Sequence, residues 1–383
     1  MIGRAFSFAT AGRITFGAGC ATEIPGAVVA HGRKALVITG SHPERYDVLD
    51  ALAEGQVQIT HVRAHREPTV DDVRAAVEAA RECDVVLGIG GGSVMDLAKA
   101  AGALVAGADP MDHLEVIGGG RPLPGPGLPV VAVPTTAGTG SEVTANAVLS
   151  SPEHRVKVSV RGPTVLPAAA IVDPLLTLEC PPDVTASSGL DAFTQCLEPY
   201  VSPMANALTD GFARTGLTAA GRSLRAAYAD GGDVAARTNM ALSSLLGGLA
   251  LANAKLGAVH GIAGVVGGLT GGPHGAICAA LLPSVVTVTT AALRSRNPHS
   301  PALVRYAHAA DLVTGESQSR TDDLVGWIRE TSQALSIPGL SAYGLDGDDV
   351  DHVVHASSRS SSMKGHPIEL TADELRLIVA SSR

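Results

Sequence analysis

Residues 84–89, Asp84-Val85-Val86-Leu87-Gly88-Ile89, are an apolar run of strand length without polar alternation. Such a run is expected to be buried on both faces, as in a parallel sheet. Gly90-Gly91-Gly92-Ser93 follows, and then an alanine-rich segment over residues 94–105 that predicts a helix. Residues 34–39 repeat the pattern, an apolar strand ending in the turn Gly40-Ser41-His42-Pro43, and residues 57–62 are another candidate strand. Thr69 is placed to cap a helix with Val70, Val73 and Val77 on one face, running to Arg81. Residues 130–133 and 170–174 add two strand signals. Strands alternating with helices predict a parallel sheet covered on both faces, with a ligand crevice at the strands' carboxyl ends.

Beyond Pro182 the strand signals stop. Residues 191–200, 208–229 and 234–255 are rich in alanine and leucine and predict a second, all-α domain. A chain of 383 residues is too long for one compact core. The boundary is expected within residues 175–182, giving an α/β domain over 1–178 and a helical domain over 179–383. Residues 256–293 contain no Asp, Glu, Lys or Arg, yet Gly271-Gly272-Pro273-His274-Gly275 interrupts them. Lipid would leave that broken backbone unsatisfied, so helices buried in protein are predicted. The polar residues 315–323 read as a surface loop.

The formal net charge of −9 removes any electrostatic reason to expect nucleic acid or an anionic membrane as partner. The five cysteines (Cys20, Cys83, Cys180, Cys196, Cys278) are scattered and form no C-x-x-C pair, which suits reduced thiols in a cytoplasmic protein. Residues 1–19 alternate apolar and polar and lack the apolar block of a signal peptide.

Strand, glycine turn and helix together aim backbone N–H groups and the positive end of a helix dipole at a phosphate. Gly90, Gly91, Gly92 and Ser93 are therefore candidates to hold a dinucleotide, although a bland glycine turn after a strand also fits. Metal chemistry would come from the second domain. Asp191 and Gln195 are four apart and share a helical face, while His260 and His274 each precede a glycine. A carboxylate and two imidazoles with an open position can hold zinc or ferrous iron. From spacing alone, Asp191 reads more readily as a helix cap and His260 as a hydrogen-bonded core histidine.

Taken together, these motifs resemble the iron-containing alcohol dehydrogenase family, within the superfamily that includes glycerol dehydrogenase and dehydroquinate synthase. The matching residues are Gly90-Gly91-Gly92-Ser93 with Asp96 and Lys99, Pro134-Thr135-Thr136-Ala137-Gly138-Thr139-Gly140-Ser141-Glu142-Val143-Thr144, Ile171-Val172-Asp173-Pro174, Gly189-Leu190-Asp191-Ala192, Val259-His260-Gly261 and Pro273-His274-Gly275. They follow the family's order along the whole chain. The resemblance implies a dinucleotide-binding domain, then a metal-binding helical domain, with the active site in the cleft between them. It implies that Gly91, Gly92 and Ser93 hold the diphosphate, that Asp96 and Lys99 shape the helix behind it, and that Thr135, Thr136 and Thr139 line the nicotinamide end. The three threonines could instead merely cap a strand–helix turn. It also implies metal ligation by Asp191, His260 and His274.

Two positions depart from the family pattern. Gln195 stands where iron-type members carry a fourth ligand, a histidine, and Gly264 where many carry a histidine of the proton relay. Three ligands match the glycerol dehydrogenase type of site, favouring zinc over iron, with Gln195 expected to donate a hydrogen bond to substrate. Members preferring NAD tend to carry an aspartate where this chain has Gly40. With Ser41 and Arg45 nearby, NADP is expected, though Arg45 also reads as a solvated helix residue. The activity implied is NAD(P)H-dependent reduction of a small aldehyde or ketone, or the reverse alcohol oxidation, by a cytoplasmic homodimer. A metal- and NAD-dependent lyase or cyclase like dehydroquinate synthase, or a metal-independent reductase like maleylacetate reductase, are the alternatives. Because glycine supplies no proton, protonation is expected from solvent or the cofactor ribose. Lys157 is an alternative donor that reads equally well as a surface lysine in a charged loop.

Overall fold

The computed structural model describes residues 5–383 apart from Ala108 and Val116, so residues 1–4 of the alternating N-terminal stretch lie outside the described residues. The chain separates into two units: Ala9–Thr136 with Gly140–Glu179, and Cys180–Arg383 with Ala137–Thr139 and the segment ending at Phe8.

The first unit is built on a six-stranded sheet. Its strands are β1 (Arg13–Phe16), β2 (Lys34–Thr39), β3 (Gln58–Arg63), β4 (Val85–Gly90), β5 (Val130–Pro134) and β8 (Ala169–Val172), in the order β1-β8-β5-β4-β2-β3. All pairings are parallel. Period-2 alternation sends Leu36, Ile38, Val86, Val130 and Ala132 to one core and Ala35, Val37, Val85, Leu87, Val131 and Val133 to the other. Two buried faces explain why the strands read as unbroken apolar runs. From β2 the chain proceeds to the edge strand β3, returns to the other side of β2 as β4, and continues through β5 to β8. Strand order therefore reverses between β2 and β4, the switch point at which open α/β sheets bind ligands.

The helix Val70–Ala80 begins with a capping box, Thr69 accepting from the Asp72 backbone while the Asp72 carboxylate accepts from Thr69. The strands β6 (Asn146–Ser151) and β7 (Val156–Arg161) form an antiparallel hairpin that sequence reasoning did not find. Its turn holds Arg155 at φ 52°, a conformation costly for a side-chain-bearing residue, so no turn residue announced it.

The second unit is helical. Its longer helices are Pro182–Val201, Ala207–Ala229, Val234–Ala254, Ala258–Thr270, His274–Arg296, Pro301–Thr314 and Thr321–Ala334. Thr321 already opens a helix, which shortens the loop expected over residues 315–323. The charge-free stretch becomes two helices separated where Gly271 ends the first at φ 72°. His274–Arg296 is long and apolar enough to cross a membrane by length and composition, yet 72% of its most apolar window is buried within the protein. Small residues permit that packing: a Cβ on Gly189 would stand 2.2 Å from Leu224 Cδ1.

Candidate functional site

The sheet's switch point carries both glycine turns singled out in the sequence. Gly40 follows β2, and Gly90 ends β4. Gly90 must lack a side chain, because a Cβ there would lie 2.5 Å from Val94 Cγ2. A Cβ on Gly91 would meet only Thr136, at 3.4 Å, so the protein itself tolerates one. Gly91 precedes the helix Gly92–Leu104, and no side chain caps that helix start. Its first N–H groups therefore suit a phosphate. Gly88 and Gly102 let the helix sit close on the sheet, since added Cβ atoms would come within 2.8 Å of Ala98 and 2.7 Å of Val130.

Asp96 and Lys99 act behind the turn. Lys99 is fully buried and its Nζ donates to the carbonyls of Ser141 (2.8 Å) and Asn146 (2.5 Å) and to Thr144 Oγ1 (3.0 Å). Asp96 accepts from Ser141 Oγ at 2.6 Å and from the Val148 N–H at 3.1 Å. Both groups thus pin the helix to the loop after β5 and to the β6–β7 hairpin. Both oxygens of Asp96 are thus engaged within the protein. Thr135 is buried and its N–H donates to the Gly90 carbonyl at 2.9 Å, Thr136 borders Gly91, and Thr139 is half-buried. Glu142, in the loop after β5, is buried; loss of hydration pushes its carboxyl up to about 7, against the opposing pull of its own backbone N–H and of Lys99.

One further expectation changes. Lys157 is not a loop residue: it lies on β7, its side chain 4% exposed, with its ammonium 2.5 Å from the Glu67 carboxylate. A lysine held in that way is committed to a structural ion pair, which removes the basis for a proton-donor role. Arg45 lies in a short 3-10 helix and pairs with Glu179 at 3.1 Å, while Ser41 is exposed. The parallel register also sets Arg63, a residue not singled out from sequence, beside Thr39 at the carboxyl end of β2.

The helical unit brings the three expected metal ligands together. Asp191, His260 and His274 offer donor atoms that, with Cys278 Sγ, all lie within 4.8 Å of one another. Asp191 sits on the Pro182–Val201 helix, His260 in the first turn of Ala258–Thr270, and His274 at the first position of His274–Arg296, with Cys278 one turn later. Gly275 keeps that last helix close, since a Cβ would come within 3.0 Å of the Ser187 carbonyl oxygen.

Asp191 Oδ1 and His260 Nε2 are 3.3 Å apart as an ion pair, and each is buried with no hydrogen-bond partner. Buried polar atoms left so are costly. Two such atoms beside a second imidazole and a thiol are the donor chemistry of a divalent transition-metal site, and these residues fit one.

Gln195 is 3% exposed, and its Nε2 donates to Asp191 Oδ2 at 2.9 Å. A carboxylate only accepts, so the amide nitrogen must face it. One of its two amide donors thus orients Asp191, and its Oε1 is buried without a hydrogen-bond partner.

Glu198, which sequence reasoning missed, completes the arrangement. Its Oε2 is 2.7 Å from His260 Nδ1 and its Oε1 accepts from the Val259 N–H at 2.7 Å. A carboxylate on Nδ1 fixes the tautomer that presents Nε2 to a metal. Burial works against both carboxylates, yet His260 holds the carboxyls of Asp191 and Glu198 below their usual range. Burial would likewise lower His260, but with no metal bound the flanking carboxylates of Asp191 and Glu198 raise it to about 10, keeping on Nε2 a proton that a divalent metal would displace. The signal for Glu198 was its position, seven residues after Asp191 on the same helical face; for Cys278 it was the one-turn spacing from His274.

The sequence profile of iron-containing alcohol dehydrogenases matches residues 11–174, and that of the C-terminal region of the Fe-containing alcohol dehydrogenase family matches residues 185–382. The chain belongs to the iron-containing alcohol dehydrogenase family. Alcohol dehydrogenase 4 of Saccharomyces cerevisiae is 32% identical over 315 residues, covering 82% of this chain and 80% of the yeast protein. A crystal structure of 1,3-propanediol oxidoreductase superimposes with a TM-score of 0.89 at 31% identity, covering 99% of this chain and 100% of that one. Sulfoacetaldehyde reductase from Bifidobacterium kashiwanohense, solved with NAD+, gives 0.84 at 27% identity, covering 99% and 98%. Like other iron-containing alcohol dehydrogenases, the chain is an NAD(P)-dependent oxidoreductase acting on CH–OH groups of small molecules. Family membership implies a divalent metal, with which the Asp191, His260, His274 and Cys278 cluster is compatible.

Proposed function

We propose that this alcohol dehydrogenase reduces a small aldehyde or ketone with NADPH, or oxidises the corresponding alcohol, using zinc held by Asp191, His260 and His274. The observation that carries the reading is the pair of buried atoms Asp191 Oδ1 and His260 Nε2, neither with a hydrogen-bond partner, beside His274. A divalent metal held there supplies Lewis-acid polarisation of the substrate oxygen, and the nicotinamide supplies or takes the hydride. The protein's own contribution is orientation: Glu198 sets the His260 ring, Gln195 sets Asp191, and the Gly91–Gly92 turn receives the diphosphate. The proton comes from solvent. A Cβ at Gly264 would meet nothing within 4 Å, which supports room for water where no acid side chain stands.

The choice of NADPH rests on the end of β2. Gly40 offers no carboxylate to repel a 2′-phosphate, and Arg63 and Arg45 bring positive charge to that edge. The Arg45–Glu179 pair is exposed, the class worth about 0–1 kcal/mol, so a phosphate dianion competes for Arg45. The small-substrate reading draws on the relatives named above, and the five free cysteines favour a reducing cytoplasm.

Metal analysis of protein purified without chelator, paired with kcat/KM for NADPH and NADH on short aldehydes, tests the proposal. One zinc per chain and a preference for NADPH of about tenfold, or 1.4 kcal/mol, are expected. Chelator-insensitive turnover by metal-free protein, or tighter NADH, would overturn the metal and cofactor parts respectively.

A further inference from the structure

We propose that Cys278 is a metal ligand in this chain, its thiolate supplying the fourth donor at the site formed by Asp191, His260 and His274. The inference rests on the metal reading above and goes beyond the three-ligand set. Cys278 is fully buried, and its sulfur lies 3.6 Å from His274 Nε2 and within 4.8 Å of a donor atom on Asp191 and on His260. The independent sign of a ligand comes from two other members of the cluster. Asp191 and His260, 1% and 7% exposed, each bring an atom without a hydrogen-bond partner, and the two atoms lie 3.3 Å apart.

The sequence explains why a sulfur would be recruited. Gln195 occupies the position four residues after Asp191, one helical turn away, where an imidazole would complete a four-ligand set. Its amide nitrogen is bound to Asp191 Oδ2, which turns the side chain into a brace for Asp191. The helix that begins at His274 supplies the missing donor by the same device: His274 and Cys278 are one turn apart on His274–Arg296, so a single rigid element delivers an imidazole and a sulfur. On metal binding the thiol proton is released to solvent and the thiolate takes its place in the coordination sphere. A thiolate is a soft ligand and moves preference from ferrous iron towards zinc or cobalt.

The test uses the full-length protein loaded with cobalt(II), whose spectrum reports ligand type independently of turnover. One cobalt per chain with a thiolate-to-cobalt charge-transfer band in the near ultraviolet is expected. Cys278→Ser should abolish that band while Cys20, Cys83, Cys180 and Cys196 remain. Partners that merely orient metal ligands are worth about 10- to 100-fold in affinity. Loss of a direct donor should therefore weaken cobalt and zinc binding at least about 100-fold in competition with a chelator. The double variant Gln195→His/Cys278→Ser should recover affinity without recovering the band, showing that the single variant is folded and lacks only a donor. Cobalt bound without the band, or the same band in Cys278→Ser, would overturn the thiolate assignment and leave the metal reading standing. Failure of the native chain to bind any cobalt would overturn both.

Discussion

Replacing Glu198 with alanine separates the support of a metal ligand from the ligand itself. Glu198 accepts two buried N–H groups at 2.7 Å, the backbone of Val259 and the Nδ1 of His260. Its removal leaves both donors without their partner and frees the His260 ring to rotate. Orienting partners of this type are worth about 10- to 100-fold in metal affinity, or roughly 1.4–2.7 kcal/mol. Each orphaned buried donor adds about 1–3 kcal/mol of lost stability. Glu198→Gln refines the test, because an amide has one acceptor oxygen for two donors. One hydrogen bond can survive, so stability should fall by about half as much as in the alanine variant. Zinc affinity should be measured by competition with a chromophoric chelator, and stability by denaturant titration of metal-free protein. A folded Glu198→Ala variant that binds zinc within about twofold of the native chain would refute the claim that Glu198 orients His260.

Gly91→Ala should keep the fold yet weaken dinucleotide binding by about 100-fold (near 2.8 kcal/mol), because its Cβ meets Thr136 only at 3.4 Å but enters the diphosphate's approach. Gly90→Ala should instead unfold the sheet unit, its Cβ lying 2.5 Å from Val94; circular dichroism and fluorescence titration distinguish the two. Lys157→Met should cost about 1–3 kcal/mol by breaking the pair with Glu67, with kcat changed less than about threefold; a hundredfold loss across pH would restore it as an acid. Glu142 retains its proton in the folded state up to about 7 but in the unfolded state only to 4.5. Stability should therefore fall by up to about 3 kcal/mol as pH rises through that window, and urea titrations of Glu142→Gln should show the slope removed.

The sheet unit was largely legible because its physics is local. A strand buried on both faces has to be continuously apolar, and a phosphate turn needs glycines between strand and helix, so Val85–Gly90 and the turn after it stood out from single windows. What escaped depends on distant partners. The β6–β7 hairpin has half-buried alternation and an arginine, not a glycine, in its left-handed turn. Lys157 read as a surface charge because nothing in its neighbourhood points to Glu67. Gln195 could be placed on the same face as Asp191, but which way its amide turns depends on the Asp191 carboxylate. Glu198 was hidden for the opposite reason: a helical glutamate reads as solvated until two other segments are seen to close over it.

That same glutamate explains how the metal donors tolerate their backbone setting. His260 and His274 both lie in the first turn of a helix, where the dipole places a partial positive charge near +0.5 and repels a cation. Gly257, preceding the first of these helices, has no side chain with which to cap it. The cap comes from elsewhere, Glu198 accepting from Val259 and His366 Nδ1 from Ala258 at 3.2 Å. Gly257 has to be glycine for that arrangement, since a Cβ would lie 2.8 Å from Glu198 Oε1 and 2.9 Å from His366 Nδ1. Burial pushes His366 down to about 4, so it serves as a neutral acceptor, and Glu198 supplies the negative charge. With Asp191 it sets two carboxylates against two helix starts. One residue therefore neutralises the helix end, satisfies the free N–H of Val259, and fixes the imidazole that the helix presents. The geometry of His260 is in this way a consequence of how the helix is capped, which ties the metal site to the folding of the unit that carries it.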